Sequence, residues 1–183
     1  MTDIERVKED VESVLIDRGL NLLINNSGIN YRMSLDNVTA DKLNTVFQTN
    51  VTGPIMVTKT FLPLLKKAAS QHEDKSLSTS RAAVINISSI LGSIEENSSG
   101  GLHGYRPSKA ALNMFTKSLS VELREHGILA AALHPGWVRT DMGGPRATLG
   151  EEESIRGCLN VMAGLTEEKS GKMIAFDGRV IPW

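Results

Sequence analysis

Tyr105 and Lys109 are two residues whose types and spacing could do chemistry together. They lie four positions apart in a segment whose apolar pattern predicts a helix from 105 to about 125, and positions i and i+4 share one helix face. A lysine ammonium beside a phenol favours the phenolate and lowers the tyrosine pKa, which suits the tyrosine to protonate a carbonyl oxygen. The chain also has many lysines, so the pair alone would arise by chance in some chains.

Ser88 and Ser89 follow an apolar run at 82–87 that predicts a buried strand. A serine hydroxyl at the end of a strand can hydrogen-bond the same carbonyl oxygen and orient it for attack. Two serines after a strand are also ordinary turn chemistry, so both interpretations stay open on these residues alone.

Asn50 falls inside a long predicted helix at 40–71, where asparagine is disfavoured because its side chain competes for backbone hydrogen bonds. In one interpretation it opens the helix to hold a water for proton relay. In the other, which the residue alone favours, its side chain is simply exposed. Pro54 and Pro63 are the candidates for kinking or dividing this helix.

Helical and strand patterns alternate along the chain, which predicts an α/β fold with a parallel sheet and right-handed crossovers. Functional groups in such a sheet gather where strands end, and the turns Asn25–Gly28 and Pro135–Gly136 fall there together with the serines. The first helix should begin with a capping box formed by Thr2 and Glu5 and end at Gly19. The remaining predicted elements are strands at 22–24, 82–88, 128–134 and 172–175, helices at 3–17 and 151–162, and a mobile loop at 93–104.

The bulk composition excludes several classes of protein. The net charge is −1 and aromatic residues make up 4%, with no basic stripe, so nucleic acid is not an expected partner. No apolar run is long enough for a membrane span and no secretory pattern opens the chain, so we expect a cytoplasmic protein without a membrane partner. Cys158 has no partner for a disulfide, and the four histidines lack metal-ligand spacing, so no metal site is expected.

Five motifs in this order resemble the short-chain dehydrogenase/reductase family over nearly the whole chain. They are Asn-Asn-Ser-Gly at 25–28, Asn-Val-Thr-Gly at 50–53, Asn-Ile-Ser-Ser at 86–89, Tyr-Arg-Pro-Ser-Lys at 105–109 and Pro-Gly-Trp-Val-Arg-Thr at 135–140. The longer segments around Ser89 and after residue 134 look most like carbonyl reductases of the sniffer and C-factor type.

This resemblance implies catalytic roles for four residues. Tyr105 would be the general acid, and Lys109 would lower its pKa and hold the nicotinamide ribose. Ser89 would position the substrate oxygen, and Asn50 would order a relay water.

The resemblance also implies a cofactor, NADPH, and the residues that would border it. Pro135, Gly136 and Thr140 would line the nicotinamide, and Asn25 and Gly28 would border the cofactor channel, to which Tyr105 and Lys109 also belong.

The family's glycine-rich Gly-x-x-x-Gly-x-Gly turn has no counterpart in these 183 residues, and residues 1–19 look like the helix after the family's third strand. The implied fold is a Rossmann-like doubly wound parallel sheet, N-terminally truncated to strands 4–7 of the usual seven, as one partial domain over 1–183. NADP binding should then be weak or lost, because the pyrophosphate loses its helix N-terminus. The strand at 22–24 should become an exposed apolar edge.

Two functional hypotheses follow from the resemblance. The first is NADPH-dependent reduction of a small carbonyl substrate by this chain or by the longer enzyme of which it is a shortened form. The second is a catalytically inactive short isoform that binds the full-length reductase. In either case a homodimer or heterodimer would form through the helices at 40–71 and 105–125, as is usual in the family. An incomplete gene model is a third interpretation of the short chain.

Overall fold

Four parallel strands and one antiparallel strand form a single sheet whose order follows the chain, β1-β2-β3-β4-β5. The computed structural model describes residues 3–183. The four parallel strands are those that the sequence predicts, so the α/β fold is confirmed. The strands are β1 (Leu22–Asn25), β2 (Ala83–Ile87), β3 (Leu129–His134), β4 (Met173–Ala175) and β5 (Val180–Ile181).

Five α-helices connect and cover these strands. Thr39 caps the second helix by accepting a hydrogen bond from the Lys42 amide, and three glutamates open the fifth, where the helix dipole favours negative charge. Within the described residues, no helix is long and apolar enough to cross a membrane. The helices are α1 (Asp3–Leu15), α2 (Ala40–Phe47), α3 (Gly53–Ser70), α4 (Tyr105–Glu122) and α5 (Glu151–Ala163).

Alternate residues of β2 and β3 fill two separate cores, one on each face of the sheet. On one face, strand residues such as Val84 and Ala130 pack with α3 and α4. On the other face, residues such as Ile85 and Ala131 pack with Cys158 and Met162 of α5. Covering both faces is what a buried parallel sheet requires.

The crossovers do not all have the same hand, which corrects the expectation from sequence. The strands advance in one direction across the sheet, yet α3 and α4 lie on one face and α5 lies on the other. The β3–α5–β4 crossover therefore has the opposite hand to the two before it, against the usual right-handed rule. A long connection, residues 135–150, gives the chain the length to pass around the end of the sheet.

The first helix differs from its prediction at its C-terminal end. It ends at Leu15, and Ile16 has a left-handed backbone with φ of 56°. Gly19, which was expected to end the helix, instead lets the backbone approach α3. A Cβ at this position would lie 2.0 Å from the Ala68 nitrogen, so only glycine fits there. The expected capping box involves Thr2, which lies outside the described residues.

The predicted helix at 40–71 is two α-helices separated by one π-helical turn, Gln48–Thr52. The prolines do not divide it, because Pro54 occupies the first turn of α3 and Pro63 lies within α3. The division falls at Asn50. Strand β5 has no counterpart in the sequence prediction, since two residues are too short to show an alternating pattern.

Candidate active site

Ser89 and Tyr105, sixteen positions apart in the chain, meet at the carboxyl end of β2. Ser89 lies close enough to the Tyr105 phenol to act on its pKa, which it lowers. The Ser89 oxygen also accepts a hydrogen bond of 3.2 Å from the Leu91 amide, which begins a short 3₁₀ turn, Ile90–Gly92. Both side chains are buried, so each hydroxyl is held in place beside the other.

Lys109 lies one helical turn beyond Tyr105, with its ammonium 5.7 Å from the centroid of the tyrosine ring. The Lys109 Nζ donates a hydrogen bond of 2.8 Å to the Ile87 carbonyl at the end of β2. The side chain is 3% exposed, and this burial lowers the pKa of Lys109 to about 8.

The expected lowering of the Tyr105 pKa is wrong for this arrangement. Burial raises the pKa of Tyr105, because the phenolate loses its hydration, and the nearby Ser89 offsets only part of this effect. Lys109 directs its ammonium to a carbonyl oxygen, and its own charge is destabilised by the same burial. The phenol is therefore held in its protonated form.

Asn50 is fully buried, so the interpretation that its side chain is exposed is wrong. Its amide oxygen accepts from the Ile29 backbone N–H at 2.8 Å, and its Nδ2 donates to the Ile29 carbonyl at 2.9 Å. The same Nδ2 donates to the Ser108 hydroxyl at 3.0 Å, and Ser108 donates to the Tyr105 carbonyl at 2.7 Å. Asn50 thus ties the segment after β1 to the first turn of α4.

Gly28 leaves space beside these groups. A Cβ at this position would lie 3.4 Å from the Lys109 Nζ and 3.5 Å from the Asn50 Oδ1. Any larger side chain would fill the gap between the lysine and the turn after β1. The glycine therefore leaves the position next to the Lys109 ammonium free of a side chain from the turn after β1.

The side chain of Asn25 is used within the fold. Its Nδ2 donates to the Thr58 hydroxyl of α3 at 3.1 Å and to the Asn86 Oδ1 of β2 at 2.8 Å. Asn86 in turn donates to the Thr116 hydroxyl of α4 at 2.8 Å. These four buried residues, which we call the polar ladder, connect α3 to α4 across the strand ends.

Pro135, Gly136 and Thr140 form a second group at the end of β3. Gly136 has a φ of 86°, and a Cβ there would lie 2.2 Å from the Leu149 side chain. The Pro135 carbonyl accepts a hydrogen bond from Ser154, and the Thr140 hydroxyl accepts from the Gly143 amide. In the described part of the chain, no hydrogen bond joins this group to Tyr105 or Lys109.

The segment after this group, which shows no pattern in sequence, has a defined shape. Val138 pairs with Leu149 as an isolated bridge, and the Arg139 guanidinium donates to the carbonyls of Ala147 and Thr148. The segment and the start of α5 enclose an open cleft of about 570 Å³. Its lining residues are Arg139, Thr140, Asp141, Gly144, Pro145 and Glu151.

Two further residues support the site from behind: Asn113, which sequence reasoning missed, and Ser108, which it noted within the motif at 105–109 without giving it a role. Ser88 donates to the Asn113 Oδ1 at 2.5 Å, and the Asn113 Nδ2 donates to the Gly92 carbonyl at 3.2 Å. Asn113 thereby clamps the turn that begins at Ser89. Its position four residues after Lys109 places it on the same helix face, and that spacing could have identified it.

Comparison with known proteins places these residues in a recognised context. A model of the short chain dehydrogenase family matches residues 1–149. The C-signal protein of Myxococcus xanthus is 40% identical over 165 residues, which cover 90% of this chain and 93% of that protein.

Solved structures resemble this chain over almost its full length. The carbonyl reductase Sniffer of D. melanogaster superposes with a TM-score of 0.97 and 44% identity, covering 98% of this chain and 73% of that one. An NADPH-bound carbonyl reductase from chicken fatty liver superposes with a TM-score of 0.92 and 44% identity, covering 98% of this chain and 72% of that one.

Proposed function

The chain belongs to the short-chain dehydrogenase family, and on that premise we propose that it reduces a small carbonyl compound with NADPH, with Tyr105 as the general acid. The observation that carries this proposal is the meeting of Ser89 and Tyr105 beside the buried Lys109. Two similar proteins are described as carbonyl reductases, and one of them was solved with NADPH bound.

The residues around Lys109 fit the ribose of a nicotinamide cofactor. Among the described residues, the Lys109 ammonium makes one hydrogen bond, to the Ile87 carbonyl, so two of its three donors are available for ribose hydroxyls. Gly28 places no side chain against the ammonium, where a Cβ would already lie 3.4 Å from the Nζ. Pro135, Gly136 and Thr140 would line the nicotinamide at the end of the neighbouring strand.

In the proposed reduction, Ser89 and Tyr105 each have a role that their surroundings support. When bound, the reduced nicotinamide supplies a hydride to the carbonyl carbon. Ser89 donates a hydrogen bond that orients the carbonyl oxygen, and Tyr105 transfers its phenolic proton to that oxygen, so the product is an alcohol. The raised pKa of Tyr105 keeps this proton in place at neutral pH.

Lys109 and Asn50 act on the tyrosine after it has given up its proton. The Lys109 ammonium lies 5.7 Å from the ring centroid, so as the phenolate forms it offsets part of the cost that burial imposes on that charge. Asn50 lies in a π-helical turn, a feature often found at functional sites, and we propose that it orders the water through which Tyr105 regains a proton.

We further propose that the affinity for NADPH is weak. These 183 residues contain no Gly-x-x-x-Gly-x-Gly turn, so the pyrophosphate lacks the glycine-lined helix N-terminus that usually holds it.

We also propose a dimer through α3 and α4. Apolar side chains stand exposed on both helices, including Met56 at 41% on α3 and Met114 and Val121 at 67% each on α4.

The reaction is tested by following NADPH oxidation with a panel of ketones and aldehydes at high cofactor concentration. Tyr105→Phe removes the transferable proton and should reduce kcat by about 10²- to 10⁴-fold. Tyr31→Phe is the matched control, because Tyr31 is an exposed tyrosine, at 42%, to which the proposal assigns no role. Oxidation that proceeds equally in Tyr105→Phe would refute the role of Tyr105, and no oxidation with any carbonyl would refute the activity.

A further inference from the structure

The loop at residues 93–104 connects the turn after Ser89 to Tyr105, so both of its ends adjoin the proposed catalytic hydroxyls. A loop anchored in this way must border the space in which the substrate carbonyl sits. Its glycine- and serine-rich sequence predicts mobility, yet the loop is tied down at several points. The Glu95 amide donates to the Trp183 carbonyl at 3.2 Å, and the Gly100 amide donates to the Asn97 side chain at 3.0 Å.

Arg106, the residue after Tyr105, makes two contacts with this loop and a third with the turn before it. Its Nε donates to the Gly100 carbonyl at 3.0 Å, and its Nη2 donates to the Ser99 hydroxyl at 2.8 Å. Its Nη1 donates to the Leu91 carbonyl at 3.4 Å, in the turn that begins at Ser89. One guanidinium thus connects the far half of the loop to the turn that carries the substrate-orienting serine.

The loop needs such an external hold because its own conformation is unfavourable. Gly100, Gly101 and Leu102 follow one another with φ of 63°, 70° and 49°. Two glycines have a high conformational entropy to lose, and a leucine in the left-handed region costs about 1–2 kcal/mol. Arg106 grips Ser99 and Gly100, directly before the left-handed segment begins.

The Arg106 guanidinium acts here as a multiple hydrogen-bond donor and not as the partner of a carboxylate. Within residues 3–183, no ion pair involves Arg106, and its three partners are two carbonyls and a hydroxyl. Three separate nitrogens donate in a fixed plane, which a lysine ammonium cannot reproduce.

We propose that Arg106 is a positioning residue that fixes loop 93–104 beside Tyr105 and so determines which carbonyl compounds reach Ser89 and Tyr105. This inference rests on the proposed function for its consequence in substrate choice. The contacts themselves concern the loop alone, and they can be tested without turnover.

Hydrogen exchange on Arg106→Gln, compared with the wild-type chain, tests the hold on the loop. The loop amides that donate hydrogen bonds, those of residues 95–98 and 100, should exchange about tenfold faster, as expected for the loss of hydrogen bonds of ordinary strength, while amides of β2 and β3 keep their rates. Arg106→Lys should not restore protection. Arg156→Gln is the matched control, because Arg156 pairs with Glu152 on the exposed face of α5.

Steady-state kinetics on the same variants tests the consequence. Arg106→Gln should raise KM by about tenfold and unequally for small and bulky carbonyls, with kcat and its pH profile nearly unchanged, because the hydroxyls that react are untouched. Unchanged loop exchange, full protection in Arg106→Lys, or an equal change of KM for every substrate would overturn the proposal. If the wild-type chain oxidises no NADPH, the proposed function fails, and the exchange data alone decide whether Arg106 holds the loop.

Discussion

Tyr105 and Lys109 lie on one helix face and are buried together, so both charged forms lose their hydration. For a general acid this is useful, because the phenol stays protonated until the carbonyl oxygen gains negative charge. For the lysine the same burial is unfavourable, because its ammonium is charged and the site disfavours charge. Its single hydrogen bond to the Ile87 carbonyl offsets only part of that cost.

The depressed pKa of Lys109 predicts how stability changes with pH. Because its pKa is about 8 in the folded chain and 10.5 when unfolded, the unfolded chain binds more protons between these values, and stability rises with pH across this window. The free energy of unfolding of the wild type, relative to Lys109→Met, should therefore increase by about 1–2 kcal/mol from pH 7 to 9.5. Urea denaturation of both chains measures this difference, and a flat or falling difference would contradict the assigned burial.

The types of the proposed catalytic residues were predictable from sequence, whereas their surroundings were not. Because Tyr105 and Lys109 are four positions apart, they lie on one face of any helix that contains both. The burial of Asn50 depends on Ile29, twenty-one positions earlier, and no local pattern reports that contact. The same holds for the pKa of Tyr105, which is set by how completely the packed chain covers the phenol.

At the scale of secondary-structure elements, the polar ladder fixes the strand ends from which the site is built. Asn25 and Asn86 are register partners of β1 and β2, and each also bonds a threonine on a helix. Every member is buried with its partner in place, so the ladder specifies the register of these strands as well as the positions of α3 and α4. The sequence predicted the strands and helices but not these cross-links, because they join residues that are 30 to 61 positions apart.

Asn86→Ala should lower the free energy of unfolding by about 3 kcal/mol, because it leaves the Asn25 amide and the Thr116 hydroxyl buried with one partner fewer. Asn44→Ala, at an exposed position of α2, serves as the control and should change stability by less than about 0.5 kcal/mol. Chemical denaturation with circular dichroism measures both. A loss below about 1 kcal/mol for Asn86→Ala would mean that the ladder contributes little.

At the scale of the whole molecule, helices are distributed unevenly over the two faces of the sheet. Leu22 and Ile24 of β1 are in register with Ala83 and Ile85, so they lie on the face that α5 covers. Since α3 and α4 occupy the other face, Ile24 remains 41% exposed at the edge of the sheet, as the sequence predicted for this strand. No residue of α1, as described, is buried against it.

An exposed apolar edge strand is a template for pairing with another chain, so these 183 residues, taken by themselves, should self-associate as their concentration rises. Ile24→Lys places a charge on this edge and should reduce the rise of the sedimentation coefficient with concentration. Ile155→Lys introduces the same charge at an apolar position of α5 that is 59% exposed and is not part of the edge strand. An equal effect of both substitutions, or none from Ile24→Lys, would show that association does not use β1.

The reversed crossover between β3 and β4 bears on the order in which the chain folds. The segments from β1 to β3 can assemble by successive crossovers over one face, each closing a hydrophobic contact with the strand before it. The chain must then carry α5 around to the opposite face through residues 135–150 before β4 can pair with β3. Closing a connection of this length adds little equilibrium cost, but β4 can pair only after β3 offers an edge. We therefore expect the final fifty residues to dock last, as one unit, onto a partly folded structure that already contains β1 to β3.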